Sequence, residues 1–99
     1  MNAYELQLDH DSDVDVRALI EEAALTLKLV TTQVSTLAKY PGCIHWHFKS
    51  GSLRGTLEVT YWPDRSRAWL SYRLGREAPW LAPAIDEFKD FVEDRLRAG

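Results

Sequence analysis

Apolar residues recur at helical spacing between residues 14 and 40. Intervals of four and three residues separate the members of this stripe, which are Val16, Ile20, Ala23, Leu27, Val30, Val34 and Leu37. A stripe of this kind is typical of an amphipathic helix. It predicts one long helix over residues 14–40, ended by Pro41 and Gly42, because proline and glycine commonly follow a helix.

A strand is the alternative within the same region. Leu25, Leu27 and Leu29 alternate with Thr26 and Lys28, and the β-branched residues that favour strands are frequent in residues 31–36. The helical stripe is longer than this alternation, so we favour the helix.

Beyond Gly42, apolar and polar residues alternate in three segments, at residues 43–49, 53–62 and 67–74. Alternation with a period of two is typical of half-buried strands. Ser50-Gly51 is a two-residue hairpin signal, and residues 63–66 form a proline-containing turn. We therefore predict an antiparallel three-stranded meander with an apolar inner face led by Trp46, Leu57, Val59, Leu70 and Tyr72.

The predicted register of the meander follows from its apolar positions. The first hairpin pairs Phe48 with Leu53 and Trp46 with Gly55, whereas the second pairs Tyr61 with Ala68. A shift by one residue would oppose apolar to charged side chains.

The two ends of the chain complete the predicted fold. Residues 79–97 carry a helical stripe, and residues 4–8 alternate as a possible fourth, N-terminal edge strand. The order is (β)αβββα. We expect a single α+β domain over residues 1–99, a two-layer sandwich with a long N-terminal helix and a C-terminal helix on one face of the sheet.

Composition supports this picture and restricts the cellular setting. Of the 99 residues, 45% are hydrophobic, which suffices for one core. A lone cysteine, Cys43, forms no intramolecular disulfide. No signal peptide or membrane-length apolar stretch is present, so we expect a cytoplasmic protein without a membrane partner. The chain is acidic, with net charge −3, although residues 41–78 hold six basic and three acidic residues.

Two histidines carry the metal-binding chemistry of the predicted outer sheet face. His45 and His47 are two apart on one strand, so their imidazoles point the same way, and Glu58 or Cys43 is a possible third ligand. Short His-x-His pairs also occur as solvated side chains. We therefore predict no metal and no cofactor, and keep a small metal-dependent protein using His45 and His47 as an alternative.

Arginine and tryptophan interleave on the same predicted face. The residues are Arg54, Arg67, Arg73, Trp62 and Trp69. Such a surface is typical of protein interfaces, where Trp and Arg are enriched. It is also suited to an anionic ligand or to single-stranded nucleic acid, which arginine and aromatic rings hold together.

The first helix offers a second contact surface at Leu25 and Leu29, which lie off its main stripe. No phosphate-binding loop, nucleophile elbow or metalloprotease motif is present, so we expect no catalytic residues. The leading hypothesis is a non-enzymatic protein-interaction module whose partner is itself, as a homodimer, or another protein. It would use the outer sheet face, including His45, His47 and Glu58, or the first helix. Anion or nucleic-acid binding is the alternative.

Overall fold

The computed structural model of the protein describes residues 2–8 and 14–98. Within these ranges the chain is a mixed α+β fold, as predicted. Its elements, in chain order, are β1 (Asn2–Leu6), α1 (Val16–Thr26), β2 (Val30–Ser35), β3 (Ile44–Lys49), β4 (Leu57–Trp62), a 3₁₀ turn (Pro63–Arg65), β5 (Arg67–Tyr72) and α2 (Leu81–Ala98).

All strand pairs are antiparallel, and the described residues form a five-stranded sheet in the order β1-β5-β4-β3-β2. β2 to β5 are neighbours in sequence and in space, whereas β1 lies beside β5 at the opposite edge. The prediction of three strands, or four with the N-terminal segment, is therefore wrong in number. The N-terminal segment does form an edge strand, at Asn2–Leu6 rather than at residues 4–8.

The single helix predicted over residues 14–40 is also wrong, because α1 ends at Thr26. Asp15 caps its start by accepting a hydrogen bond from the Ala18 backbone N–H at 3.1 Å. At its end, the Lys28 N–H donates to the Leu25 carbonyl and the Leu29 N–H donates to the Ala24 carbonyl. This pair of bonds is a Schellman motif, and Lys28 takes the left-handed conformation (φ 60°) that glycine more often supplies there.

The strand alternative is correct for the residues directly after α1. Val30 and Val34 belong to β2, where they pair with Lys49 and Trp46 of β3. A bulge between Thr31 and Gln33 changes the alternation of β2. Val30 therefore lies with Lys49 on the outer face, and Val34 lies with Trp46 on the inner face. The interval of four between these valines fits a helical stripe in the sequence, but it does not mark one face of the strand.

The second hairpin has the predicted register, since Tyr61 pairs with Ala68 and Val59 with Leu70. The first hairpin does not. Phe48 pairs with Leu57 instead of Leu53, and Trp46 with Val59 instead of Gly55. This shift of four residues keeps the apolar residues on the inner face but changes every outer-face neighbour of β3.

Contacts with the start of α2 explain the longer first hairpin. The Trp80 indole N–H donates to the Arg54 carbonyl at 2.6 Å. Gly55 has φ 96°, and a Cβ on it would lie 3.0 Å from Ala78 Cβ and 3.3 Å from Leu81 Cδ1. A turn at residues 50–53 is closed by the Leu53 N–H donating to the Ser50 carbonyl at 3.1 Å. Residues 53–56 beyond it are not paired in the sheet, and Arg54 and Gly55 contact residues 78–81 instead.

The core lies between the inner sheet face and the two helices. Side chains of Trp46, Phe48, Leu57, Val59 and Leu70 are fully buried, as the inner-face prediction requires, and Tyr72 packs at its margin. The helices contribute Leu19, Ile20, Ala23, Ala24, Leu81, Ile85, Phe88, Val92 and Leu96. Neither described helix has the length and apolar character needed to cross a bilayer.

The chain between β2 and β3 covers one end of the outer sheet face. The Tyr40 ring packs edge-on against Trp62 and Trp69, at centroid distances of 5.1 and 4.9 Å. The Trp62 indole N–H donates to the Pro41 carbonyl at 2.8 Å. Cys43 is buried beneath this segment and accepts a hydrogen bond from the backbone of Leu37. The remaining, uncovered part of the outer face lies toward the other end of the sheet.

Candidate metal centre

Three side chains meet at the centre of the outer face because of the register between β3 and β4. His45 and His47 point outward together, since they are two residues apart on β3. The observed register pairs His45 with Thr60 and His47 with Glu58. The predicted register placed Glu58 in the row of Cys43. The shift of four residues therefore moves Glu58 beside both histidines.

The polar atoms of these three side chains form a small triangle. His45 Nε2 lies 3.1 Å from Glu58 Oε1 and 3.1 Å from His47 Nε2, and His47 Nε2 lies 3.5 Å from Glu58 Oε1. His45 is buried, whereas His47 and Glu58 are partly exposed. Among the described residues, this is the cluster of His, Cys, Asp or Glu side chains with ligand atoms close enough to share one metal ion.

The triangle has the dimensions of one face of a tetrahedral metal site. Zinc binds histidine nitrogen at about 2.0–2.1 Å and carboxylate oxygen at about 2.0–2.2 Å, which places neighbouring ligands of a tetrahedron about 3.3 Å apart. The separations of 3.1, 3.1 and 3.5 Å lie on both sides of this value. Two histidines and one carboxylate also suit iron(II) and other divalent transition metals.

Hydrogen bonds alone do not satisfy all three contacts when Glu58 is ionised and the rings are neutral. Glu58 then only accepts, so each histidine must carry a proton on Nε2 to bond it. If both rings carry a proton on Nε2, the two protons face each other across the contact between His45 and His47. If only one ring does, the unprotonated Nε2 of the other ring and the Glu58 carboxylate face each other with lone pairs. A metal ion at the centre of the triangle would accept a lone pair from each of the three side chains.

The surroundings of His45 favour the form of imidazole that binds metal. Its Nδ1 lies 2.8 Å from the hydroxyl of Thr60, which is itself buried. With Nδ1–H donating to this hydroxyl, Nε2 is left with a free lone pair. Burial lowers the pKa of His45 below its ordinary value of 6.5, with the neighbouring charge of Glu58 acting in the opposite direction. His45 is therefore held neutral and oriented, as metal-ligating histidines commonly are.

A pocket of about 260 Å³ opens beside the triangle. His47 and Glu58 form one side of it, and Lys49, Arg73 and Arg76 contribute positive charge. Gly55 and Thr56 complete the lining. A metal ion held by the triangle would border this pocket through two of its ligands. A small molecule in the pocket would therefore lie close to His47 and Glu58.

The predicted tryptophans occupy the covered end of the face. Trp69 is 5% exposed and lies between the Tyr40 ring and the Arg67 guanidinium, which is 4.9 Å from the ring centroid. Trp62 is half-buried, with Arg65 over its ring. Contacts with Tyr40 and Arg67 therefore cover Trp69. Neither tryptophan ring lies beside the two histidines.

The three predicted arginines separate into two groups. Arg67 forms a bidentate ion pair with Glu5 of β1, at 3.2 and 2.8 Å, and this partner raises the pKa of Arg67. Arg73 lines the pocket beside the triangle, and Arg54 lines an adjoining pocket. Leu25 of the predicted dimer surface is 76% exposed, whereas Leu29 is 7% exposed and belongs to the core.

Sequence reasoning did not select Thr60, Lys49 or Arg76 for the site. The alternation of β3 placed Lys49 on the face of the histidines, which was a usable signal. The register of β4 brings Thr60 to the site, and the loop after β5 brings Arg76 there. The sequence pattern predicted neither the register nor the course of this loop.

Comparison with protein-family models, curated proteins and solved structures gives no match for this chain.

Proposed function

We propose that this chain is a small metal-binding protein that holds one divalent transition-metal ion between His45, His47 and Glu58. The mutual spacing of three ligand atoms, at 3.1, 3.1 and 3.5 Å, carries this proposal. Zinc is the ion of first choice, because the spacing suits tetrahedral coordination and the donors are two imidazoles and one carboxylate.

The position of the triangle supports a functional metal ion rather than a structural one. The site has three protein ligands and a bordering pocket, and metal sites that act on small molecules keep such an open coordination position. The hydrophobic core is complete on the opposite face of the sheet. We therefore expect the protein to fold without the metal and to bind it in the folded state.

Cobalt(II) titration of metal-free protein tests the proposal. We expect one equivalent to bind and to give the visible absorption of a four- or five-coordinate site, which zinc then displaces. His47→Ala and Glu58→Gln should each abolish binding at stoichiometric concentrations, since one of only three ligands is lost. Elemental analysis of protein purified without chelator should show the metal acquired in the cell.

Matched controls separate this site from nonspecific binding. Gln33→Ala changes the side chain opposite His47 on β2, and Glu22→Gln neutralises a carboxylate of α1 that pairs with Arg95. Both should leave cobalt binding unchanged. Cobalt binding that survives Glu58→Gln, or that falls equally in the controls, contradicts the proposal.

The second candidate is self-association through β2, in keeping with the homodimer hypothesis. β2 is an edge strand of the described sheet, and its residues Val30 and Val34 are 54% and 50% exposed. Charged residues or proline commonly protect an edge from pairing, and Val30–Ser35 contains neither; its bulge is the one such feature. A second copy could add its own β2 antiparallel to this edge.

Light scattering coupled to size-exclusion chromatography measures this association. A dimer mass that Val34→Lys converts to the monomer mass of 11.4 kDa would support pairing through β2. Thr36→Lys, which places the same charge just outside the strand, is the control. A monomer at millimolar concentration would contradict the second candidate and leave the metal proposal untouched.

A further inference from the structure

We infer that the metal centre binds a phosphate group, which the adjacent pocket recognises through Lys49, Arg73 and Arg76. This inference rests on the proposed metal function and specifies the ligand of the same site. The shared chemistry is a tetrahedral oxyanion with two negative charges, either inorganic phosphate or the phosphate of a small monoester.

The charges around the pocket lack partners within the described part of the chain. Elsewhere, arginine side chains contact a carboxylate or an aromatic ring: Arg17 with Glu21, Arg65 with Trp62, Arg67 with Glu5, Arg95 with Glu22 and Arg97 with Asp94. Arg54, Arg73, Arg76 and Lys49 form no such ion pair or ring contact with the described residues. Three of these four line the pocket beside the metal ligands.

The balance of charge in the pocket determines the kind of ligand. Lys49, Arg73 and Arg76 provide three positive charges, and a bound divalent metal would add two. Glu58 is the acid in the lining, and as a metal ligand it offsets one of these charges. A doubly charged anion is therefore a better match than a neutral molecule or a single carboxylate.

The shape of the donor set favours phosphate in particular. One phosphate oxygen can take the open position on the metal while others accept hydrogen bonds from a guanidinium, whose planar donors suit phosphate oxygens. The described lining contains no phenylalanine, tyrosine or tryptophan and no large aliphatic side chain. An adjoining pocket of similar size shares Lys49, Gly55 and Arg76, and provides space for the organic part of a monoester.

Cobalt-loaded full-length protein allows metal and anion binding to be measured separately. Inorganic phosphate and glycerol 3-phosphate should each alter the cobalt spectrum, at concentrations well below those needed for acetate. Arg73→Ala and Arg76→Ala should each weaken phosphate binding by about tenfold, as expected for one charge-assisted hydrogen bond. Neither should weaken cobalt binding. Arg97→Ala, which removes a guanidinium on α2, is the matched control.

The outcomes distinguish the inference from the proposed function. Tighter binding of glycerol 3-phosphate identifies a monoester as the ligand, and equal binding identifies phosphate itself. Cobalt binding without a phosphate response overturns the inference alone. So does a phosphate response that Arg73→Ala and Arg76→Ala leave unchanged, since the metal alone would then account for it. Failure of cobalt binding overturns both.

Discussion

Thr60 orients His45, although Thr60 is not one of the three proposed metal ligands. Its hydroxyl lies 2.8 Å from Nδ1 and is buried in the outer face of β4. Removal of the hydroxyl would leave the ring free to take the other tautomer, in which Nε2 carries a proton and no longer binds metal. The ligand set therefore depends on a fourth residue that has no metal-binding chemistry of its own.

Thr60→Val should weaken metal binding by about 10- to 100-fold, the usual effect of losing such a supporting hydrogen bond. Valine has nearly the shape of threonine, so the fold should persist. Competition with a metal-sensing dye measures the affinity. Thr31→Val, the same change at an exposed site on β2, should have no effect. Equal affinities for Thr60→Val and the unaltered protein would exclude a supporting role for the hydroxyl.

Burial of His45 makes the stability of the metal-free protein depend on pH. The folded-state pKa lies below the ordinary value of 6.5, so the unfolded chain takes up the proton first as the pH falls. The contribution is complete above pH 6.5 and decreases as the pH falls from 6.5 toward the folded-state pKa. Urea unfolding in chelator should therefore show lower stability at about pH 5.5 than at pH 7.5.

His45→Gln is the informative variant for this pH effect, because it removes the titrating ring. Its stability should change less between the two pH values than that of the unaltered protein. An identical change in both proteins would assign the pH dependence to other groups.

At the scale of elements, the loop between β3 and β4 determines the register that assembles the site. Gly55 allows this loop to pack against Ala78 and Leu81 with a positive φ angle. A tight hairpin at Ser50-Gly51 would have paired His47 with Arg54 and left Glu58 farther along the sheet. The contacts of this loop with the start of α2 therefore favour the register that brings the three proposed metal ligands together.

Gly55→Ala should destabilise the protein by about 2–4 kcal/mol, because a left-handed backbone and a crowded Cβ are combined there. Gly51→Ala is the matched control. Gly51 also has positive φ (57°), but a Cβ would meet nothing within 4 Å. We expect a loss of only about 1 kcal/mol from the backbone strain there. Urea unfolding measures both, and equal losses would exclude the packing of Gly55 as a determinant.

The end of α1 gives a second prediction at this scale. Lys28 occupies the left-handed position of the Schellman motif at φ 60°, where glycine is favoured. Lys28→Gly should therefore stabilise the protein by about 0.5–1 kcal/mol in thermal or urea unfolding. A loss of stability would mean that the lysine side chain contributes more than its backbone strain costs.

The same residues show how far the sequence predicts the fold. Alternation in β3, β4 and β5 correctly separated the inner from the outer face, because that pattern depends only on a period of two. The first register was wrong because a shift of four preserves the pattern. The contacts of Trp80 and Gly55, which accompany the observed register, join segments distant in sequence. The helix was extended too far because its end lacks a glycine.

For the candidate site, the sequence supplied the ligand types but not their proximity. His45 and His47 were placed together correctly by alternation, and Glu58 was named among the residues of that face. Its position beside both rings depends on the shifted register, which local pattern does not determine. The partial covering of the face by Tyr40, which removes Trp69 from solvent, depends on a contact between distant segments.

At the scale of the whole molecule, the inner face of the sheet forms the core, and the outer face carries the proposed binding site. The inner face and both helices form the apolar core, which provides stability. The outer face is covered at one end by Tyr40 and open at the other, where the three proposed metal ligands lie beside the basic residues of the pocket. This division separates the proposed binding function from the packing that maintains the fold.

X-ray absorption at the zinc edge of the zinc-loaded protein would identify the ligands of the proposed site. We expect only nitrogen and oxygen neighbours at about 2.0–2.1 Å, with the more distant scattering of two imidazoles. Glu58→Gln protein, freed of unbound zinc, should give no such spectrum, because this variant is expected to lose the metal. A sulfur ligand at about 2.3 Å, as Cys43 would give, or a shell without two imidazoles, would contradict the account.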